Sequence, residues 1–157
     1  MIIAGIDFNT RAIDVVTIDK SKAKWWHFDL PMVGDAFERT REVAVVLPAR
    51  RSVFWAGVAA VGIEEPHGPG AGATAKLKGV QGAILACLPE HAVVEPLVPA
   101  RWRSLVGLKG NASKDDVRRH VSARLGVHDP ILTSQDACDA YCLAEAVGLL
   151  ARTAVPS

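Results

Sequence analysis

The chain has 157 residues, half of them hydrophobic and 22% charged, which suits one domain with a full core and excludes a disordered polypeptide. No apolar run nears the ~20 residues needed to span a bilayer, the longest being residues 53–63, and no basic stretch precedes the apolar N-terminus, so neither a membrane span nor a signal peptide is expected. A net charge of +1 does not mark a general polyanion binder, and three cysteines without metal spacing (Cys87, Cys138, Cys142) read as reduced thiols of a cytoplasmic protein.

Residues 1–8 are almost wholly apolar, the pattern of a strand buried on both faces, and Asp7 interrupts it. A carboxylate there is costly unless donors or a cation meet it; alternatively it caps a turn through Asn9 and Thr10. Residues 12–19, with Ile13, Val15 and Ile18, predict a second strand, and residues 24–30 a third, closed by Pro31. Their short links predict an antiparallel meander. Residues 35–51 change to helical spacing, with Phe37, Val43, Ala44 and Leu47 on one face and Pro48 expected to end or kink the helix. Residues 53–64 return to strand character, and a strand reached through a helix implies a crossover into parallel pairing beside the first.

Residues 67–73, rich in glycine and proline, are expected to form a mobile loop. Residues 74–87 read as a helix with Leu77, Val80, Ile84 and Leu85 on its apolar side. Val93 and Val94 mark a short strand, and Pro99 has the place of an N1 proline before a helix over 101–106. Ser113 is the expected cap of a helix ending at Leu125, with Asp115 and Asp116 in its first turn. The last helix is expected from near Ser134 to about Arg152. Together these elements predict an α/β fold in which helices flank a mixed five-stranded sheet, in a single domain over residues 1–157.

Four carboxylates stand at informative places: Asp7 in the first strand, Glu64 ending the fourth, and Asp136 and Asp139 on the last helix. The two aspartates are three residues apart and share a helix face. They also lie in the first turn, where the dipole favours negative charge and aspartates are commonplace. If the four converge, their repulsion calls for hard divalent cations. An oxygen set with no paired His or Cys favours Mg²⁺ or Mn²⁺ over zinc. Residues 101–124 carry Arg101, Arg103, Lys109, Lys114, Arg118, Arg119 and Arg124 against Asp115 and Asp116. That local positive excess either holds a polyanion or forms a solvated face.

Gly-Ile-Asp at 5–7, Gly-Ile-Glu-Glu-Pro at 62–66, Lys-Gly-Asn-Ala-Ser-Lys-Asp-Asp-Val at 109–117 and Asp-Ala-Cys-Asp-Ala-Tyr-Cys-Leu-Ala at 136–144 occur in the order and spacing of RuvC-type Holliday junction resolvases. Over nearly its whole length the chain resembles that family. The resemblance implies a ribonuclease H-like fold and a homodimer that cuts four-way DNA junctions symmetrically as a crossover junction endodeoxyribonuclease. It also implies two Mg²⁺ ions per site, replaceable by Mn²⁺, and products with 5′-phosphate and 3′-hydroxyl ends. By position, Asp7, Glu64, Asp136 and Asp139 would be the metal-binding catalytic acids. Lys114 takes the place of a family lysine near the cut phosphate, and Arg103 approximates another basic position. Lys76 and Lys78 are further candidates for the DNA-binding face.

Two departures stand out. The family follows its first aspartate with Pro-Gly and a hydroxyl residue, whereas this chain has Phe8-Asn9-Thr10. Where the family places a base-stacking aromatic, this chain has His67, either a weaker stacker or a surface histidine with no role. Three other functions compete. A phosphotransferase of the actin and sugar-kinase class shares Gly-Ile-Asp but needs two such domains. A non-catalytic DNA-binding module of the same fold would not need all four acids. A broader nuclease acting on flaps and replication forks would carry the same residues. For a dimer, the helix with Leu77, Val80, Ile84 and Leu85 and the helix with Phe37, Val43 and Leu47 are candidates for the interface, although apolar faces of this kind are more often core.

Overall fold

A computed structural model of the chain describes residues 1–30, 36–49, 55–66 and 71–153. The apolar N-terminal run forms β1 (Ile2–Phe8), followed by β2 (Ala12–Asp19), β3 (Lys22–Asp29), α1 (Ala36–Ala49), β4 (Val58–Glu64), α2 (Ala71–Cys87) and β5 (Val93–Leu97). The remainder is helical: α3 (Pro99–Leu105), α4 (Lys114–Leu125), a 3₁₀ turn (Pro130–Thr133) and α5 (Gln135–Thr153). The five strands are ordered β3-β2-β1-β4-β5. β1 pairs antiparallel with β2 and, as the helical crossover requires, parallel with β4.

Several boundaries differ from expectation, each for a local reason. β3 begins at Lys22 because Asp19 pairs with Lys22, leaving Lys20 and Ser21 as the hairpin loop, with Lys20 at φ 56°. β4 begins at Val58 because Gly57 turns the chain at φ 73°; residues 51–54 lie outside the described residues. α2 begins at Ala71 inside the expected loop, of which residues 67–70 also lie outside the described ones. α1 extends one residue past Pro48. The 3₁₀ turn was not foreseen: Asp129 accepts a 2.9 Å bond from Ile131 N, and Pro130 occupies the first turn.

The caps follow the sequence closely. Pro99 opens α3, and at α4 the Ser113 hydroxyl and the Asp116 carboxylate satisfy each other's backbone N–H groups in a capping box.

The sheet has a core on each face. Ala4, Ile6, Ile13, Val15, Val61 and Ile63 pack with Val43 and Leu47 of α1 and Val80 and Ile84 of α2. These α1 and α2 residues are 0–1% exposed, so of the interface candidates Val43, Leu47, Val80 and Ile84 belong to the core, whereas Leu85 is 41% exposed. Ala44 points outward, and the exposed apolar residues there are Val45 and Leu85. The opposite core joins Val16, Leu97, Trp102, Val117 and Val121 to α5. Here α5 lies with its backbone on the sheet. A Cβ on Gly5 would sit 1.9 Å from Ala140 O, and one on Gly62 would sit 2.5 Å from Leu143 O. Only glycine permits that approach. All three cysteines are buried, and no disulfide joins any two of them among the described residues. Among the described residues no helix is long and apolar enough to cross a membrane.

Candidate active site

Alternate residues of a strand share a face. Asp7, two past Gly5, and Glu64, two past Gly62, therefore emerge on the face that α5 covers. Parallel pairing that matches Ile6 with Ile63 sets these two acids side by side at the same sheet edge. α5 begins at Gln135 over this edge, so Asp136 and Asp139 arrive on its first turns. The electrostatics register the convergence. Burial first, then the charges of Glu64, Asp139 and Asp136, and more weakly Asp14, raise the Asp7 carboxyl well above the ordinary aspartate range.

Each of the other acids is held by a neighbour. Asn9 Nδ2 donates to Asp136 Oδ2 at 3.1 Å. Gln135 Nε2 donates to Asp139 Oδ1 at 2.9 Å, and Trp102 Nε1 to Glu64 Oε2 at 3.4 Å. Burial pushes Asp139 up to about 6 despite the Gln135 bond and the nearby positive charges of Arg103 and Lys114. The turn after β1 is made not by Asp7 but by Asn9, whose Oδ1 accepts from Arg11 N at 2.7 Å and Ala12 N at 3.0 Å. The residue that departs from the resembled pattern thus shapes the turn and holds an acid. Trp102 gave no signal in the sequence, because its partner is distant along the chain.

Asp7, Phe8, Asn9, Glu64, Pro66, Leu77 and Asp136 line a cleft of about 240 Å³. Among the described residues no three His, Cys, Asp or Glu side chains are arranged to hold one metal ion. The donor chemistry nevertheless fits a hard cation. Three carboxylates, of Asp7, Glu64 and Asp136, line the cleft, and none of its lining residues is a histidine or a cysteine.

The basic candidates divide by place. Lys114 opens α4, and its charge, like that of Arg103, is felt at Asp139. Arg103 lies over the Trp102 ring at 5.0 Å and donates to Gly110 O at 3.4 Å. Arg118 and Arg119 line a separate wide cleft with Asp115, Ser122, Val127 and Leu132, and Arg119 pairs with Asp116. Lys109 is exposed beside a third cleft that Arg119 also lines. Arg101 is engaged by Glu95 at 2.9 Å. Lys76 and Lys78 are exposed on α2 either side of Leu77, which lines the acidic cleft. His67 lies outside the described residues.

No protein-family model matches the sequence, and a search of curated proteins found no match. Among solved structures, the chain is similar to Thermus thermophilus RuvC in complex with a Holliday junction substrate, with a TM-score of 0.78 and 21% identity over 98% of this chain and 96% of the other. It is also similar to a second structure of Thermus thermophilus RuvC, with a TM-score of 0.75 and 22% identity over 98% and 96% of the two chains. The mixed five-stranded sheet flanked by helices is accordingly the ribonuclease H-like fold of those structures.

Proposed function

We propose that this protein is a metal-dependent endodeoxyribonuclease of branched DNA, resolving four-way junctions by symmetric cleavage. The observation that carries the reading is the meeting of Glu64, Asp136 and Asp139 around Asp7, whose carboxyl they help to raise. Such a concentration of buried negative charge is a functional-site signature. The RuvC fold supports the substrate class, one of those RuvC structures being a complex with a Holliday junction.

Asp7, Glu64, Asp136 and Asp139 would hold Mg²⁺, two ions per site, with Mn²⁺ as a substitute. Bound there, such ions supply an activated water and charge stabilisation for the leaving 3′ oxygen. The chain's own residues do the rest. Asn9, Gln135 and Trp102 orient three of the acids. Leu77, Phe8 and Pro66 wall the cleft against bulk water. Lys114 and Arg103 bring positive charge to Asp139, where the cut phosphate would lie. Hydrolysis there would join the water oxygen to phosphorus as the P–O3′ bond breaks, a proton from the water ending on O3′, so that the products are a 5′-phosphate and a 3′-hydroxyl. Lys76, Lys78, Arg101, Lys109, Arg118, Arg119 and His67 would hold the flanking duplex arms.

A four-way junction has two-fold symmetry and needs two opposed nicks, so a homodimer is part of the proposal. The exposed Val45 and Leu85 on α1 and α2 are the apolar residues left free to contribute. Reduced thiols and DNA as substrate suit a cytoplasmic site of action.

The test is cleavage of matched four-way, fork, flap and linear substrates in Mg²⁺, Mn²⁺ or EDTA, with light scattering of the protein alone and with junction DNA. Paired metal-dependent nicks confined to the four-way substrate, made by a dimer, support the proposal. Equal cutting of forks and flaps replaces it with a broader nuclease, and binding without cleavage replaces it with a non-catalytic module.

A further inference from the structure

Asp14, on β2, is a fifth carboxylate on the face of the sheet that carries the acids. It is the register partner of Asp7 across the β1–β2 pair and is only 1% exposed. Like charges directly opposite on antiparallel strands destabilise a sheet, and a buried carboxylate needs donors. Both donors come from β3 and converge on one oxygen. Trp25 Nε1 donates to Asp14 Oδ1 at 2.7 Å, and His27 Nδ1 lies 3.0 Å from the same atom. His27 is itself the register partner of Asp14, and its Nε2 lies 3.2 Å from Asp29 Oδ1. The Trp25 and His27 rings meet edge to face at 6.3 Å, bracing the pair. A row of ionisable groups thus runs across three strands, Asp7 to Asp14 to His27, and ends at Asp29.

Part of what the row does for folding a neutral side chain could also do. Asparagine at position 14 would keep an acceptor for Trp25 and remove the repulsion with Asp7. What only the carboxylate supplies is charge, aimed at the acid that the sheet places opposite it.

We infer that Asp14 is a positioning residue for the cation-binding acids: tethered by Trp25 and His27, its fixed negative charge behind Asp7 strengthens the hold on a divalent cation. The inference rests on the metal-dependent reading above. A fixed charge behind a ligand acts on the cation through space even though another residue makes the contact. His27 opposes the effect when charged. Its hydrogen bond to Asp14 raises its pKa, so at pH 6 the imidazolium offsets part of the Asp14 charge. The charged groups facing it are Asp14 and Asp29, with Asp7 beyond Asp14.

The experiment is calorimetric titration of the full chain with Mn²⁺ at pH 6, without DNA, together with melting in EDTA. Asp14→Asn is expected to weaken Mn²⁺ binding by ~3–10-fold, because its charge acts through space rather than through a bond to a ligand, while the variant still melts cooperatively in EDTA. His27→Gln, which keeps a donor but removes the charge, is expected to tighten binding by a smaller factor, on the order of twofold to fivefold, because the ring is more exposed and screened. A purely structural row would make both variants weaker binders. Equal weakening by both, or Asp14→Asn binding indistinguishable from the parent chain, overturns the inference alone. If Asp14→Asn does not fold, the sign of the His27→Gln change decides. Failure of the parent chain to bind Mn²⁺ overturns this inference and the metal-dependent reading together.

Discussion

Gly5 and Gly62 are register partners across the parallel β1–β4 pair, and the α5 backbone rests on both. Each stands two residues before an acid on the same strand face, so the pair that admits the helix also sets the distance from Asp7 and Glu64 to Asp136 and Asp139. Gly5→Ala would drive a methyl to 1.9 Å from Ala140 O, which forces the helix to lift. The expected loss is about 3 kcal/mol, or roughly 9 °C in melting temperature, with cleavage reduced further because two acids ride on α5. Gly82→Ala, in α2 with open space around it, is the control and should be neutral or stabilising by up to about 1 kcal/mol. Thermal melts of the two variants check this.

The crowded acids should make the cation-free chain less stable as pH rises. Asp139 has a folded pKa of about 6, above its unfolded value, so its protonated form favours the fold. That contribution is complete below the unfolded pKa and is lost as pH climbs through about 6. The shift of Asp7 is in the same direction. Melting in EDTA should therefore fall from pH 4 to pH 7, and Mg²⁺ or Mn²⁺ should restore stability at pH 7. Asp7→Asn should melt higher than the parent chain in EDTA at pH 7 and bind junction DNA, yet cut nothing. A flat melting profile over this range would refute the crowding, and activity of the variant would refute the role of Asp7.

Asn9 joins the β1–β2 turn to the first turn of α5. Asn9→Ala removes the 3.1 Å bond to Asp136 and the acceptor for Arg11 N and Ala12 N. A stability loss of about 1–2 kcal/mol is expected, with cleavage slowed about tenfold and junction affinity unchanged. Asn9→Asp should keep the turn but set a carboxylate against Asp136. It should therefore retain stability better than the alanine variant at low pH and lose that advantage at neutral pH. Paired melts and single-turnover rates distinguish these outcomes.

Arg118 and Arg119, successive residues of α4, both line a cleft of about 710 Å³. If both meet phosphates, replacing them with alanine should lower the slope of log affinity against log salt by about 2 and weaken all junction sequences alike. Titrations at several salt concentrations read this directly. An unchanged slope would assign the arginines to the Asp116 pairing and the solvated surface, and would move the DNA face to Lys76 and Lys78.

Much of what depends on neighbours along the chain could be read from the sequence, although the local 3₁₀ turn at Pro130–Thr133 was not. The apolar run of β1, the proline that opens α3 and the Ser113–Asp116 capping box are local energetic choices, and they occur where the residues require. Order and alternation also sufficed for the meander, the crossover and the mixed sheet, because short links and handedness leave few alternatives. Tertiary structure alone decided the rest. Asn9 finds Asp136 across 127 positions and Trp102 finds Glu64 across 38, and no periodicity links such pairs. The apolar stripes of α1 and α2 look alike whether they face a sheet or a second subunit, and packing made Val43, Leu47, Val80 and Ile84 core. Gly5 reads as an ordinary strand glycine until a helix backbone is placed over it. Asp14 reads as one more polar residue until strand register sets it opposite Asp7, where its charge acquires a consequence.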